Sequence, residues 1–443
     1  MLLRSEKPHG ALDRLPFGGG NGGASWLVMQ MLSPYRVLDL STERGLLCGQ
    51  VLGDLGADVI KIEPPGGAPS RRLGPFLDDE SHPDRSLYWW AYNRNKRSVT
   101  LDIDRPEGRA LFRRMASGAD FLIESFNPGD MAARGLGYDD LAALNPALVY
   151  VSISAFGQEG PKASYADADL IIMAAGGPLM LTGDDDRPPV RLSVPQAYLH
   201  ASADAAVGAL AAHHESVRSG RGQRVDVAAQ ESVAMATQSW VLAASLGSVE
   251  IRRMSGGVKI AELDIPLVWP AKDGYIALTF LFGTALGVFT RKLMHYLCER
   301  GFCDQATRDK DWIAFGDQLA SGAEPISEFE RVIEIVRSFT RSHTKAELLQ
   351  FALERGFLMT PITTIEEVVK SPQLESRGYW RWIEHPELGR GILYPGPFAK
   401  FSATPIAYRH RPPTVGEHNR EVYCGELGLS AAEFAGLVEN GIV

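Results

Sequence analysis

Two strand-type runs flank a helix-spaced segment within fewer than 30 residues, and that arrangement leaves few ways to fold. Residues 35–40 (YRVLDL) form a short apolar run. Gly45 to Gly56 then places Leu46, Leu47, Val51, Leu52 and Leu55 at helical spacing, and residues 58–62 (DVIKI) form a second run. A strand, a helix and a strand in so short a stretch return to one sheet as parallel neighbours. The pattern then recurs. A helix is predicted over 106–117, with Asp104 as its N-cap, Pro106 in its first turn and Leu111, Phe112 and Met115 on its buried face. Strands are predicted at 120–124 (DFLIE) and 148–154 (LVYVSIS), with a turn at Asn127-Pro128-Gly129 between them. The expected fold class is α/β, with a doubly wound parallel sheet.

Further along, an alanine-rich helix is predicted over 198–217, then a tight turn at Gly220-Arg221-Gly222 and a strand at 224–228. The character changes near residue 262. A strand-like segment at 265–269, a turn at Asp273-Gly274, a strand at 275–280 and mixed helices to about 365 read as a second, smaller α+β domain. The expected partition is a disordered leader over 1–30, the first part of a large α/β domain over 31–230, and a linker helix and loop over 231–261. The small domain then covers 262–365, and 366–443 returns to the large domain through proline-rich turns and a short helix at 430–440. Alternatively, the working chain begins near Met31. Gly18, Gly20 and Gly23 match G-x-G-x-x-G, but no strand precedes them, so they fail the context that a dinucleotide site requires.

The charge balance excludes several classes. Lys and Arg number 45 against 54 Asp and Glu, a net charge of −9, and no basic block stands out. Nucleic acid and anionic membranes are therefore not expected partners. No apolar run is long enough to span a bilayer. Four scattered cysteines, Cys48, Cys298, Cys303 and Cys424, read as a reduced, cytoplasmic chain. The signatures of P-loop NTPases, α/β-hydrolases, zinc proteases and dithiol redox enzymes are absent from the sequence.

An anionic ligand must then be held by local basic residues. Candidates placed after strand-type runs are Arg71, Arg72, Arg94, Lys96, Arg97 and Arg134, because ligands of open α/β sheets sit at the carboxyl ends of the strands. Asp184-Asp185-Asp186 reads as a solvated turn before it reads as a cation site. Asp169 reads as an N-cap. His295, Cys298 and Cys303 lie within nine residues but lack the fourth ligand of a structural zinc site, so no metal is expected. Trp240, Trp269 and Phe280 fit either a bulky ligand or the core.

Nine segments in order resemble the family III CoA-transferases, a group that includes 2-methylacyl-CoA racemases. They are VLDLS (37–41), LGDLGADVIKIEPPGG (52–67), NRNKRSVTLDI (93–103), IESFNPGDM (123–131), RGLGYDDLAALNPALVYVSISAFGQEGP (134–161), TGDDDRPPVR (182–191), SGRGQRVDVAAQESV (219–233), KDGYIAL (272–278) and FSATPIAYRHRPPTVGEHN (401–419). The resemblance implies an interlocked dimer, a large CoA-binding domain built from both ends of the chain, and a small domain between them. It implies coenzyme A or an acyl-CoA as substrate, with a carboxylic acid as acceptor. By motif, CoA contacts fall near Arg71 or Arg72, Leu101, Asp102 and Asp104, and Ser125, Phe126 and Asn127. Arg134 joins them, although the family's arginine aligns closer to Ala133. A glycine-rich loop matches Ser255-Gly256-Gly257.

The chemistry that the resemblance implies runs through one aspartate, whose carboxylate attacks the donor thioester. Its position matches Ala197 or Tyr198 here, and the nearest acid in that helix, Asp204, stands about two turns further on. The racemase pair fails too, because the histidine position matches Asp167. Three expectations follow. The chain is the CoA-thioester-binding subunit of a transferase whose related subunit supplies the aspartate; or it is a self-sufficient homodimer using another group; or it binds CoA thioesters without turnover.

Overall fold

The computed structural model describes residues 30–247, 252–260 and 263–443; most of the expected leader, 1–29, lies outside them. The central element is a six-stranded parallel sheet. In chain order its strands and the helices around them are β1 (Arg36–Asp39), α1 (Leu46–Asp54), β2 (Asp58–Glu63), α2 (Leu87–Asn93), β3 (Lys96–Thr100), α3 (Pro106–Ala116), β4 (Phe121–Glu124), α4 (Asp130–Ala133), α5 (Tyr138–Ala142), β5 (Val149–Ser154), α6 (Asp169–Ala175), α7 (Ala197–Ser219) and β6 (Arg224–Ala228). The spatial order is β3-β2-β1-β4-β5-β6, and every neighbouring pair is parallel. The order reverses between β1 and β4, where an open α/β sheet leaves a crevice at the strands' carboxyl ends.

Each face of the sheet has its own apolar layer. α1 and α7 cover one face, with Ala197, Ala201, Ala205, Ala209 and Ala212 packed against Val149, Val151 and Ile153. Alanines at successive turns let α7 lie close to the strands, since a larger side chain at those positions would hold the helix away. The other face packs Leu111, Phe112 and Met115 of α3 with Leu141, Tyr423 and Leu437. The carboxyl-terminal segment runs along the outer strand β3. Asn419 Oδ1 accepts from the Thr100 amide at 2.8 Å, and Tyr423 Oη donates to the Thr100 carbonyl at 2.7 Å. That covering leaves β3 no open edge. A second core draws on residues 265–359, where an antiparallel sheet of Met359–Pro361, Gly274–Leu278 and Val268–Ala271 packs on four helices. Among the described residues, no helix is long and apolar enough to cross a membrane.

Four local expectations are corrected. Strand β3 was unexpected, because Lys96 and Arg97 open it and break the apolar pattern; both residues lie in the strand and not after it. The cap of α3 is Arg105 and not Asp104, whose amide instead donates to Asp102 Oδ1 at 2.9 Å. The single strand expected at 265–269 is two, Leu263–Pro266 and Val268–Ala271, interrupted at Leu267. The proline-rich tail also contains a hairpin, Arg381–His385 with Arg390–Tyr394.

Beneath the crevice lies a fully buried charge cluster. Asp39, at the end of β1, accepts from Lys96 Nζ at 2.9 Å and Lys61 Nζ at 3.3 Å, and from Ser41 through its amide at 2.9 Å and its hydroxyl at 2.5 Å. Lys96 also donates to the Leu46 carbonyl at 2.9 Å and to Asn93 Oδ1 at 3.0 Å. Gly49 makes room, because a Cβ there would stand 2.3 Å from Asp39 Oδ2. Burial works to raise the Asp39 pKa, but Lys61 and Lys96 outweigh it and hold the carboxyl at about 2. A depressed carboxyl contributes stability that is present above its ordinary pKa and lost as pH falls through the depressed one. Asp39→Ala, which leaves two buried ammonium groups unpaired, is predicted to cost about 3–5 kcal/mol in denaturant unfolding. The wild-type chain is predicted to lose its excess over the variant as pH falls from 4 to 2.

Candidate functional site

The two loops that border the crevice are stitched together by hydroxyls. The Thr42 amide donates to Ser125 Oγ at 2.8 Å, and the two hydroxyls lie 3.0 Å apart. Ser125 is buried, so it shapes the crevice from behind. Arg44 crosses the gap. Its guanidinium donates to Asn127 Oδ1 at 3.1 Å and to the Ser125 carbonyl at 3.4 Å, and it pairs with Asp167 Oδ2 at 2.9 Å. The sequence had not singled out Arg44, although it stands five residues after β1, where the rule for strand ends points.

A cavity of about 220 Å³ opens between the loops that follow β1, β2, β3 and β4. Leu101, Asp102, Asp104, Phe126 and Arg134 line it, with Ser41, Thr42 and Pro64 opposite. Arg134 is fixed at its mouth by Asp104 Oδ1 at 2.7 Å and the Asp130 carbonyl at 2.9 Å, with its guanidinium carbon 5.7 Å from the Phe126 ring centroid. The cavity thus combines apolar walls, an aromatic face and a partly exposed cation.

The other basic candidates point elsewhere. Arg71 is buried over Trp89, and its donors go to Glu63, Asp84 and the Pro413 carbonyl. Lys96 belongs to the Asp39 cluster. Arg97 pairs with Asp58, Glu421 and Glu426 toward the amino ends of the strands. Arg94 pairs with Asp54 beside Tyr408. Arg72 is exposed. Of the six basic candidates, only Arg134 lines the cavity.

The start of α7 borders the same crevice. Ala197 is fully buried, and its amide and that of Gln196 donate to Asp169 Oδ1 at 2.8 and 2.6 Å. Asp169 therefore caps α7, not the helix α6 that it begins. Tyr198 Oη donates to Asp167 Oδ1 at 2.6 Å, which completes a Tyr198–Asp167–Arg44 chain. Burial, and then Asp167, push the Tyr198 phenol far above its ordinary value, so it remains protonated.

Asp185 and Asp186 lie exposed in a turn, as expected, but the triplet is engaged by a neighbouring loop. Asp184 Oδ1 accepts from the Ser255 amide at 2.7 Å, and Asp185 accepts from the Arg253 amide at 2.8 Å and pairs with Arg252. Together they pin the loop that carries Gly256 and Gly257. Trp269 and Phe280 are buried in the second core, whereas Trp240 is exposed.

The model of CoA-transferase family III matches residues 32–419. The chain belongs to that family. Among family III relatives, it is 36% identical over 417 residues to the succinyl-CoA:(R)-benzylsuccinate CoA-transferase subunit BbsE of Thauera aromatica, covering 94% of this chain and 98% of that one. It is 34% identical over 415 residues to the succinyl-CoA–D-citramalate CoA-transferase of Chloroflexus aurantiacus, covering 93% and 98%. A CAIB/BAIF family protein from Brucella suis superposes with a TM-score of 0.75 at 28% identity, over 89% of this chain and all of that one. The chain is thus a CoA-transferase by family, and CoA thioesters are the substrates of such enzymes.

In this family III chain, one carboxyl below the crevice is tuned to neutral pH. Glu124 ends β4 and accepts from the Phe126 amide at 2.8 Å, beside a cavity of about 290 Å³ that Ser152 and Arg224 also line. Burial raises its pKa from 4.5 to about 7, against the opposing pull of Ser152 and the Phe126 amide. The folded state therefore keeps a proton that the unfolded chain gives up, and stability falls as pH rises from 4.5 through 7. Glu124→Gln can still accept from Phe126 and removes this loss. Its stability relative to wild type, measured by denaturant unfolding, is predicted to improve by about 3 kcal/mol between pH 4.5 and 8. A pH-independent difference would contradict the assignment.

Proposed function

We propose that this chain is the CoA-thioester-binding subunit of a CoA:carboxylate CoA-transferase, and that a related chain supplies the nucleophilic aspartate. One observation carries the reading. The family's nucleophile position falls at Ala197 or Tyr198; the first has no functional group, and the second is a phenol held protonated against Asp167. A methyl group cannot attack a thioester, and a protonated phenol is a poor substitute for a carboxylate.

The binding half of the site is intact. In this reading the nucleotide end of CoA enters the cavity lined by Leu101, Asp102, Asp104 and Phe126, and Arg134 at its mouth meets the phosphates. Ser125 and Asn127 hold the wall, and Arg72 stands outside as a further cation. The relative named as a subunit, BbsE, supports a two-chain assembly. So does helix Gln238–Ser245, none of whose residues is buried and which exposes Trp240, Val241 and Leu242 to whatever partner covers them. We place a paralogous chain there, as an interlocked dimer, with an acyl-CoA donor and a carboxylic acid acceptor.

A second reading rests on Asp167, whose carboxylate contacts the Tyr198 side chain at the nucleophile position. Both its oxygens are engaged, one by Tyr198 and one by Arg44, so neither is free to attack a thioester without breaking a contact. The chain alone is predicted to give no CoA transfer from succinyl-CoA to a panel of dicarboxylates. Addition of a related chain with aspartate at that position is predicted to restore it. Asp→Ala in that partner should remove at least a thousandfold of the rate, whereas Asp167→Asn here should cost less than tenfold. Full transfer by the chain alone, lost in Asp167→Asn, would move the nucleophile to Asp167.

A further inference from the structure

The last turn of helix Gly283–Glu299 reverses on itself. Phe302 donates its amide to the Leu297 carbonyl at 2.9 Å and Gly301 to the Cys298 carbonyl at 3.0 Å, with Gly301 in the left-handed region at φ 79°. This paired closure is a Schellman motif, and it folds the following residues back along the helix. Cys303 is carried to the turn that contains Cys298. Its Sγ donates to the Met294 carbonyl at 3.7 Å, an oxygen that lies one helical turn before Cys298. Both are partly exposed, whereas Cys48 is fully buried and Cys424 belongs to a different segment, Glu421–Glu426. No group of three potential metal ligands occurs among the described residues, so these two sulfurs stand as a pair.

We propose that Cys298 and Cys303 form a redox-active dithiol that closes to an intramolecular disulfide in the folded chain when it meets a small disulfide oxidant such as oxidised glutathione. The inference does not depend on the transferase reading. The Cys298 thiolate attacks one sulfur of oxidised glutathione, which forms a mixed disulfide and releases one glutathione thiolate to take up a proton. Cys303 then gives its proton to solvent and attacks the Cys298 sulfur, releasing the second glutathione. Two protein thiols are oxidised by two electrons, and one glutathione disulfide is reduced to two thiols.

The surroundings assign the order of attack. Burial, then Cys298 and Asp304, push the Cys303 thiol up to about 11, and Arg331 opposes them. Cys303 is therefore the resolving thiol, and its closure step is limited by deprotonation. The charge of Arg308 also acts on both sulfurs, and His295 lies one turn before Cys298 on the same helix. The closure rate should rise about tenfold per pH unit between 7 and 9, as the Cys303 thiolate fraction does.

Arg300 separates the two cysteines, so trypsin places them in different peptides. The reduced full-length chain is incubated with oxidised glutathione, quenched with N-ethylmaleimide, digested and mapped by mass. The expected product is the pair of peptides joined by a disulfide, with a glutathione adduct on Cys298 as its precursor. Cys303→Ser should stop at that adduct, and Cys298→Ser should react far more slowly. Recovery of both cysteines alkylated, or of glutathione adducts with no joined peptides, would overturn the proposal.

Discussion

One carboxylate, Asp39, holds the large sheet's working end in place. It gathers an ammonium from β2 and another from β3 and turns the chain at Ser41, so three strands and the first helix meet at one point from which water is excluded. A buried triad of this kind is costly to desolvate and is weak evidence for stability by itself. Its consequence here is geometric: it sets the direction in which residues 40–45 leave β1. Thr42 then meets Ser125, and Arg44 reaches Asn127 and Asp167. The glycine at position 49 belongs to the same constraint, because the carboxylate occupies the space that a side chain would need.

From that anchored end, the crevice presents two different sides. The cavity side, with Leu101, Phe126 and Arg134, has the mixture of apolar wall and cation that a CoA nucleotide requires. The α7 side keeps a helix start beside the same space, but there a tyrosine hydroxyl, an aspartate and an arginine satisfy one another. A nucleophile has to be unengaged, and in this closed chain both Asp167 oxygens and the Tyr198 hydroxyl are occupied. The same helix start is stabilised by Asp169, which accepts from the Gln196 and Ala197 amides, so its stability does not depend on which side chain stands at 197. This arrangement is the basis for proposing that the chain binds the CoA thioester and a related chain supplies the nucleophile.

Much of this is legible in the sequence. The β1–α1–β2 unit, the runs at 120–124 and 148–154 and the alanine-rich helix are periodic enough to declare themselves, and the ordered segments identify the family. β3 was not legible, because its first two residues are charged: a lysine that enters the core and an arginine that pairs at the strand's far end look like a loop. The same ambiguity affects the basic candidates, of which only Arg134 lines the cavity. Counting arginines near strand ends cannot separate Arg71, enclosed by two carboxylates and Trp89, from Arg134 at a cavity mouth; only burial does. Asp169 was recognised as a cap but assigned to its own helix, since nothing in the sequence shows that residue 196 comes within 3 Å of it. The match of the family's nucleophile position to Ala197 or Tyr198 is what the resemblance implies, whereas the Tyr198–Asp167–Arg44 chain needed three-dimensional contact.

The most direct test of this account is an acyl-enzyme trap on the purified chain alone. The protein is incubated with succinyl-CoA, treated with hydroxylamine and read by intact mass. The account predicts no hydroxamate on any carboxyl, together with retained CoA binding that weakens in Arg134→Ala. A stoichiometric hydroxamate on one acid, above all Asp167, would show that the chain carries its own nucleophile and would contradict the division of labour between two subunits.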